Sequence, residues 1–287
     1  MVRTGSSKKT GGEERTPATT VRVGFIGGGN MAEALLRGLL AAGYSAEELL
    51  VSEPLAERRR LLARRYRVGV TGDNQAVMRS AQTIILAVKP QVLGDLLGSL
   101  GASATSKQLF VSIAAGVPLA RLEEGLGAGA RVVRVMPNTP SLVGKGAAVL
   151  CGGSAARAAD LRTVRKIFAA VGDAHVIADE KLMHAVTALS GSGPAYVYRF
   201  AEVLLEAGVK AGLDRDLAAA LTFQTLAGAA QMMLATGQSP QELRRAVSSP
   251  GGTTLAGLAR LDEGGLEGVV AAAVRAAAAR SVELGKM

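Results

Sequence analysis

Short apolar runs alternate with stretches of helical spacing through the first half of the chain. A run that is apolar at nearly every position, such as residues 83–88 (TIILAV), is typical of a parallel strand buried on both faces of a sheet. Strands that alternate with helices indicate a doubly wound parallel sheet. We therefore expect strands at residues 21–26, 49–53, 83–88, 109–113, Arg131–Met136, 147–151 and 175–178, with helices that include residues 54–66 and 155–171.

Near residue 179 the pattern changes to long helical stretches. The segment SGSGPAY at residues 190–196 interrupts them. Because proline is tolerated in the first turn of a helix, this segment predicts a break followed by a restart at Pro194. Residues 217–235 carry no charge and are rich in alanine. Helices with so little side-chain bulk gain most from close approach to a partner helix, so this half predicts a homo-oligomer and not a membrane span.

Glycines follow the first predicted strand and open a helix. Gly27, Gly29 and Ala32 fit the spacing G-x-G-x-x-A. In this context the first glycine permits a tight turn, the second leaves room for a pyrophosphate, and the alanine lets the helix lie close to the sheet. The free N–H groups at the start of the helix attract the anion. The sequence therefore predicts a dinucleotide-binding site here.

With 287 residues, the chain is long enough for two domains. We expect a disordered, polar N-terminal extension at residues 1–20. A doubly wound, Rossmann-type domain that binds NAD(P) is expected at residues 21–180. An all-α domain for substrate binding and dimerisation is expected at residues 181–287. The predicted fold class is therefore α/β, with a parallel sheet domain followed by a helical domain.

The formal net charge of +9 does not indicate a nucleic-acid partner. Much of the charge lies in six arginines between residues 58 and 67, without the interleaved aromatic residues of a base-stacking surface. Cys151 is the only cysteine, which excludes a disulfide framework within the chain and makes a reducing cytoplasm the expected location. His175 and His184 have no neighbours at metal-ligand spacing, so no metal site is expected.

The residues after the second predicted strand carry two opposite signals for the cofactor. An acidic side chain such as Glu53 suits the ribose 2′-OH of NADH, whereas Ser52 with Arg58 and Arg59 suits the 2′-phosphate of NADPH. The choice between NADH and NADPH stays open, with a slight preference for NADPH. Small, turn-rich segments also follow the strands at residues 87–90, 114–116 and 136–140, and together they predict a cleft at one edge of the sheet.

A second glycine-containing loop, VSSPGGTT at residues 247–254, precedes a helix in the second half. Adjacent glycines expose backbone N–H groups, and the threonines place hydroxyl groups beside them. That arrangement suits a small carboxylate. An ordinary loop that leads into a helix remains the alternative on residue types alone.

Six motifs occur in order along the chain: VGFIGGGNMAEALLRG, LAVKPQ, SIAAGV, RVMPNTP, ALSGSGPAY and VSSPGGTT. In this order and spacing they resemble those of the Δ1-pyrroline-5-carboxylate reductase family, and the resemblance runs from about Val21 to the end of the chain. It implies reduction of 1-pyrroline-5-carboxylate to L-proline by NAD(P)H, the last step of proline biosynthesis. It also implies a homodimer interlocked through the helical domain, with such pairs assembled within a decamer.

The resemblance also implies roles for individual residues. The implied cofactor contacts are Gly27, Gly28, Gly29, Asn30, Met31, Ala32, Ser52, Asn74, Ala87, Val88, Lys89, Pro90, Ile113, Ala114 and Ala115, with Asn138 beside the nicotinamide end. The implied substrate contacts are Ser249, Gly251, Gly252, Thr253 and Thr254, with Pro194 nearby. Glu53 departs from the pattern, because relatives that favour NADPH often have a small hydroxyl residue there.

The implied reaction asks little of acidic and basic side chains. A protonated imine is already electrophilic, so hydride transfer needs mainly alignment. Thr254 is the candidate catalytic residue, as orienter of the imine nitrogen and as proton relay, with a relay through water as the alternative. Lys89 is interpreted as a loop cation near the cofactor.

Two other functions compete with the reductase. A β-hydroxyacid dehydrogenase would need a lysine early in the helix that begins at Pro194, but the first one is Lys210. A non-catalytic NAD(P)-binding sensor would keep the glycine loop and lose the substrate loop, whereas in this chain the substrate loop is intact.

Overall fold

The computed structural model describes residues 22–285, so the predicted extension at residues 1–20 lies outside the described part of the chain. The strands are β1 Val23–Ile26, β2 Leu49–Ser52, β3 Gly69–Thr71, β4 Thr83–Leu86, β5 Leu109–Ser112, β6 Arg131–Met136, β7 Gly146–Gly152 and β8 Gly172–Ile177. They form one sheet in the order β3-β2-β1-β4-β5-β6-β7-β8. The first six are parallel, and the order reverses between β1 and β4. In an open sheet of this kind the ligand crevice lies at that reversal, outside the carboxyl ends of the strands.

The structure confirms the predicted α/β fold and corrects one detail of the sheet. We expected parallel strands throughout, but β7 runs antiparallel to β6. The cause is the short connection at residues 137–145, which contains a 3₁₀ turn at Thr139–Val143 and Gly144 at φ +71°. A parallel return needs a crossover of a dozen or more residues. The strand β3 is only three residues long, and the sequence pattern did not mark it.

Helices cover both faces of the sheet and then make up the rest of the chain. The helices are α1 Asn30–Ala41, α2 Ala56–Tyr66, α3 Asn74–Ser80, α4 Pro90–Gly101, α5 Leu119–Leu126, α6 Ala158–Ala169, α7 Met183–Val186, α8 Gly193–Lys210, α9 Arg215–Thr236, α10 Pro240–Ala246, α11 Thr253–Glu263 and α12 Leu266–Gly285. One core packs α1 and α6 on the first face, around Phe25, Leu35 and Phe168, and a second packs α3, α4 and α5 on the other, around Leu97 and Phe110.

The predicted break and restart at residues 190–196 takes the form of a π-helical turn followed by a new helix that begins at Gly193, with Pro194 in its first turn. A π-helical turn at Thr187–Gly191 carries the chain from α7 into α8, and the N–H of Ser192 donates to the Thr187 carbonyl at 2.8 Å. Gly191 lies against Met136 at the end of β6, where a Cβ would collide with the methionine methyl. The π turn thus keeps the helix hydrogen-bonded while it passes the edge of the sheet. Such turns are frequent at functional sites.

The helices after residue 180 bury little of their apolar surface within one chain. Only Met183, Ala188, Ala201 and Ala218 are buried apolar residues in that part of the described structure. Among the described residues one helix, α9, is long and apolar enough to cross a membrane, and 11% of its most apolar window is buried. The end of α12 lies against the loop after β5, since a Cβ on Gly116 would come within 3.3 Å of Leu284 Cβ.

Candidate cofactor and substrate sites

The glycine loop lies at the crevice end of β1, and its glycines have different surroundings. Gly27 has φ +100°, and a Cβ there would lie 2.6 Å from the Ala87 carbonyl oxygen. Its N–H donates to the Ser52 carbonyl at 2.8 Å, so the loop is joined to the neighbouring strands. Gly29 begins α1 without a side-chain cap, and a Cβ there would meet no atom within 4 Å. The start of α1 therefore presents free N–H groups to open space, as a pyrophosphate requires.

The structure brings the other predicted cofactor residues to the same edge. Ser52 is buried at the end of β2, and its hydroxyl donates to Asn74 Oδ1 at 2.6 Å. Residues 87–90 follow β4, where exposed Lys89 precedes the first residue of α4. Residues 113–115 follow β5, with Ala114 buried and Ala115 exposed. Asn30 is exposed, Met31 is half-buried and Ala32 is buried in the first turn of α1.

The buried carboxylate of Glu53 lies against the glycine loop. Glu53 follows β2 and is 8% exposed. Its Oε2 accepts the Gly28 N–H at 2.9 Å, and its Oε1 accepts the Leu55 N–H at 3.0 Å. These bonds fix the carboxylate beside the glycine loop, where the sequence predicted contact with the adenosine ribose.

The arginines after β2 are tied to other groups. Arg58 donates to the Gly28 carbonyl and to Glu33 Oε2, each at 2.6 Å. Glu33, on α1, also accepts from Tyr66 at 2.7 Å and from Arg65 at 3.1 Å. Burial acts to raise the pKa of Glu33, but these hydrogen bonds and the two arginine charges together lower it. No sequence pattern marks this cluster, because the partners of Glu33 lie 25 to 33 residues from it in the chain.

Asn138 joins the two halves of the molecule. Its Oδ1 accepts the Ala147 N–H at 2.8 Å, and its Nδ2 donates to the Ser190 carbonyl in the π turn at 3.0 Å. A cavity of about 320 Å³ lies beside this contact, and its lining includes Asn138, Pro140, Pro194 and Tyr198. Pro194 and Asn138 therefore line the same cavity, and the sequence predicted Asn138 at the nicotinamide end. The Oδ1 and Nδ2 atoms of Asn138 both already take part in hydrogen bonds to the backbone.

The predicted substrate loop lies apart from the sheet edge within one chain. Among residues 22–285, no hydrogen bond joins residues 249–254 to residues 22–180. Gly252 precedes α11 without a side-chain cap, and Gly251 has φ +69°. Ser249, Gly251 and Thr253 are exposed, while Gly252 and Thr254 are half-buried. A cavity of about 360 Å³ beside this loop is lined by residues of α10, α11 and Ser248 alone.

An ion pair between a buried arginine and a half-buried glutamate was not predicted from the sequence. Arg134, in the middle of β6, is 3% exposed and pairs with Glu180 at 2.6 Å. Glu180 also accepts the Leu119 N–H at 2.7 Å, so it links the sheet to the segment that leads into α7. A signal was present, because an arginine inside an apolar strand run needs a buried partner. Beside it, burial raises the pKa of the Cys151 thiol, as expected of an unreactive cysteine.

Comparison with known protein families gives two matches. Residues 180–284 match the family model described as pyrroline-5-carboxylate reductase dimerisation. Residues 22–116 match the model described as NADP oxidoreductase, coenzyme F420-dependent. The two matches fall on the helical part and on the glycine-loop part of the chain.

Similar proteins cover nearly the whole chain. The pyrroline-5-carboxylate reductase of Pseudomonas aeruginosa is 43% identical over 93% of this chain and 97% of its own length. That of Synechocystis is 44% identical over 93% and 99%. A solved structure of the enzyme from Coxiella burnetii has a TM-score of 0.88 at 37% identity and covers 94% of this chain and 100% of that one. The Plasmodium falciparum enzyme, solved with NADP bound, has a TM-score of 0.82 at 36% identity over 92% and 98%.

Proposed function

The chain belongs to the pyrroline-5-carboxylate reductase family, and we propose that it carries out that reaction in a site shared between the glycine loop and the loop before α11. It is an NAD(P)H-dependent oxidoreductase of proline biosynthesis. Hydride goes to the C=N carbon of 1-pyrroline-5-carboxylate, and the product is L-proline. The main observation in support of this site is the open space over Gly29, where α1 begins without a side-chain cap. Residues 87–90 and 113–115 lie at the same edge of the sheet.

NAD(P)H, when bound, supplies the hydride, and the chain supplies position. The N–H groups at the start of α1 hold the pyrophosphate over Gly29. Ser52 and Asn74 reach the adenosine ribose, and residues 87–90 and 113–115 line the path towards the nicotinamide. Asn138 acts at that end as a positioning residue, because both ends of its amide hold backbone groups of β7 and the π turn.

The substrate carboxylate lies at the start of α11. Gly251, Gly252 and Thr253 offer backbone N–H groups there, and Ser249 adds a hydroxyl. Thr254 accepts the N–H of the protonated imine, which holds the ring in line for hydride addition at the neighbouring carbon. Addition of hydride neutralises the nitrogen, so no proton has to leave Thr254 during that step. A neutral hydroxyl is a poor acid, which favours the orienting role over proton donation.

Two copies of the chain complete one site. Within the described part of one chain, residues 249–254 form no hydrogen bond to the sheet half, and the cavity beside them is lined by α10, α11 and Ser248. The apolar faces of α8, α9, α11 and α12 are exposed, with Phe223 at 58% and Leu234 at 72%. Pairing these faces in a homodimer brings the loop of one copy over the cofactor edge of the other. The match of residues 180–284 to a dimerisation family supports this arrangement.

We extend the proposal to the domains, the assembly and the location of the protein. A cofactor domain at residues 21–180 and a helical substrate-binding domain at residues 181–287 make up each subunit. The dimer works in the cytoplasm, further assembles into decamers, and binds neither nucleic acid nor membrane. The apolar surface of α9 is covered by the partner subunit and not by lipid.

The test is spectrophotometric. Purified protein is mixed with NADH or with NADPH, and nucleotide oxidation is followed on addition of 1-pyrroline-5-carboxylate, with L-proline identified as the product. Turnover with either nucleotide is expected. Oxidation without proline formation, or no oxidation although the nucleotide binds, would contradict the proposed substrate.

A further inference from the structure

The end of β2 contains two kinds of group that could select the cofactor, and the structure shows how each is used. Glu53 is nearly buried and fixed by the Gly28 and Leu55 N–H groups. Each carboxylate oxygen can accept more than one hydrogen bond, so both can still receive a hydroxyl group. The carboxylate cannot turn into solvent without leaving two backbone N–H groups without an acceptor.

The arginine nearest the glycine loop is held by two other groups. The Nε of Arg58 donates to the Gly28 carbonyl and its Nη2 donates to Glu33, whose side chain is 16% exposed. The negative charge of Glu33 therefore offsets the charge of Arg58. Arg59 directs one nitrogen at the carbonyls of Glu53 and Pro54, at 2.6 and 2.7 Å. Arg59 is half-buried and is the remaining candidate for reading a 2′-phosphate.

We propose that Glu53 makes this enzyme prefer NADH to NADPH. The inference rests on the proposed cofactor site, because it assumes that the adenosine ribose reaches the end of β2. There the fixed carboxylate accepts a hydrogen bond from the ribose 2′-OH. A 2′-phosphate would instead place one to two negative charges beside a carboxylate that is shielded from water, where repulsion is strong. The solved Plasmodium falciparum neighbour holds NADP, so the preference is assigned to residues of this chain and not to the family.

The test measures binding and not turnover. Dissociation constants for NADH and NADPH are determined by titration calorimetry on the purified full chain without substrate. NADH should bind at least about tenfold more tightly than NADPH, because the 2′-phosphate of NADPH would lie beside the like charge of the Glu53 carboxylate. Equal affinity for the two nucleotides, or tighter binding of NADPH, would overturn the proposal.

Variants assign the preference to Glu53. Glu53→Gln keeps the size and removes the charge, and it should bring the two dissociation constants within about twofold of each other. Glu53→Asp keeps the charge and should keep the preference. Glu57→Gln removes an exposed charge from the first turn of α2 and should leave the ratio unchanged. An unchanged ratio in Glu53→Gln contradicts the assignment. The ratio is taken within each variant, so a general loss of affinity does not affect it.

Arg59→Ala tests the competing explanation. It should change the affinities for NADH and NADPH by similar factors, since Arg59 is directed at backbone carbonyls. A loss confined to NADPH would mean that Arg59 reads a 2′-phosphate, and would overturn the proposal. Failure of both nucleotides to bind the wild-type chain would overturn the cofactor site and this inference together. The expected preference without reduction of 1-pyrroline-5-carboxylate would leave this inference in place and overturn the proposed function.

Discussion

The two halves of this chain use their apolar residues in opposite ways. In the sheet half, nearly every large apolar side chain is buried in one of two cores that flank the strands. In the helical half four apolar residues are buried within the described structure, while side chains such as Val269 and Leu234 stay 65% and 72% exposed. The first half therefore has a core of its own, whereas most apolar side chains of the second are left uncovered within one chain. Contiguous exposed apolar faces mark interaction surfaces.

The largest effect is expected from a charge on the exposed face of α9, which tests whether the helical half pairs with a second copy of the chain. Phe223→Glu should dissociate the assembly and lower reductase activity by more than about a hundredfold, because a carboxylate would be buried without a partner in the interface. NADH binding should persist, since the sheet half keeps its core. Sedimentation, activity and nucleotide titration measure the three quantities.

The matched control places the same charge on the sheet half. Val176→Glu lies in the edge strand β8 at 45% exposure, and it should leave assembly and activity near wild-type values. An active, undissociated Phe223→Glu protein would show that the exposed face of α9 is not an interface.

Two glycines in one loop separate folding from binding. Gly27→Ala should destabilise the protein by about 2–4 kcal/mol, because the new methyl group meets the Ala87 carbonyl at a positive φ. Gly29→Ala should change stability by less than about 0.5 kcal/mol, since its Cβ enters open space. It should nevertheless weaken NADH binding at least about tenfold, by occupying the position of the pyrophosphate. Urea unfolding and titration calorimetry distinguish the two. Wild-type affinity in Gly29→Ala would place the pyrophosphate elsewhere.

Thr254 tests the chemistry assigned to the helical half. Thr254→Ala should lower kcat by about tenfold to a hundredfold, because the imine loses its orienting hydroxyl. The dissociation constant of NADH should stay unchanged. Thr254→Ser restores the hydroxyl and should recover most of the turnover. Full turnover in the alanine variant would remove Thr254 from the mechanism.

Mixed dimers test whether each active site combines the sheet half of one subunit with the helical half of the other. Gly29→Glu should disable the cofactor edge, and Gly252→Val should disable the substrate loop, because its Cβ would lie 2.5 Å from Ser249 Oγ. Each variant alone should be nearly inactive. After unfolding and refolding of an equal mixture, about a quarter of wild-type activity should return, since half of the dimers are mixed and each has one intact site. No recovery, although mixed dimers form, would place both parts of the site within one chain.

The sequence predicted what depends on local pattern. The apolar runs located seven of the eight strands to within a few residues, and the glycine spacing located the cofactor loop. The pattern did not mark β3, where only Gly69–Thr71 pair with β2. It also indicated parallel strands where the nine-residue connection at 137–145 forces β7 to turn back.

The features of the site that the sequence could not predict have a common physical origin, which is contact between residues far apart in the chain. Arg58 and Glu53 both stood out as cofactor signals, but their hydrogen-bond partners decide which one remains available, and those partners lie on the glycine loop and α1. Asn138 was expected beside the nicotinamide, and its motif did not reveal that its amide holds Ala147 and Ser190. Motif order alone could not show that residues 249–254 lie away from the glycine loop of their own chain.

The smallest expected effect concerns Glu33, whose bonds hold α2 against α1 inside the sheet half. Its pKa is lower in the folded protein than its ordinary value of 4.5, because the bonds from Tyr66 and Arg58 outweigh burial. A lowered pKa means stability that is present above the unfolded value and is lost as the pH falls through the folded one. Glu33→Gln should therefore cost about 1 kcal/mol of unfolding free energy at pH 7. The difference from wild type should shrink at a second, acidic pH that lies below the lowered pKa of Glu33, because the wild-type side chain is then also uncharged. Urea unfolding at the two pH values measures it, with Glu57→Gln as the exposed control. A difference that persists at low pH would mean that shape and not charge holds the two helices together. Dimer assembly should be unchanged throughout, because this cluster serves the half that has a core of its own.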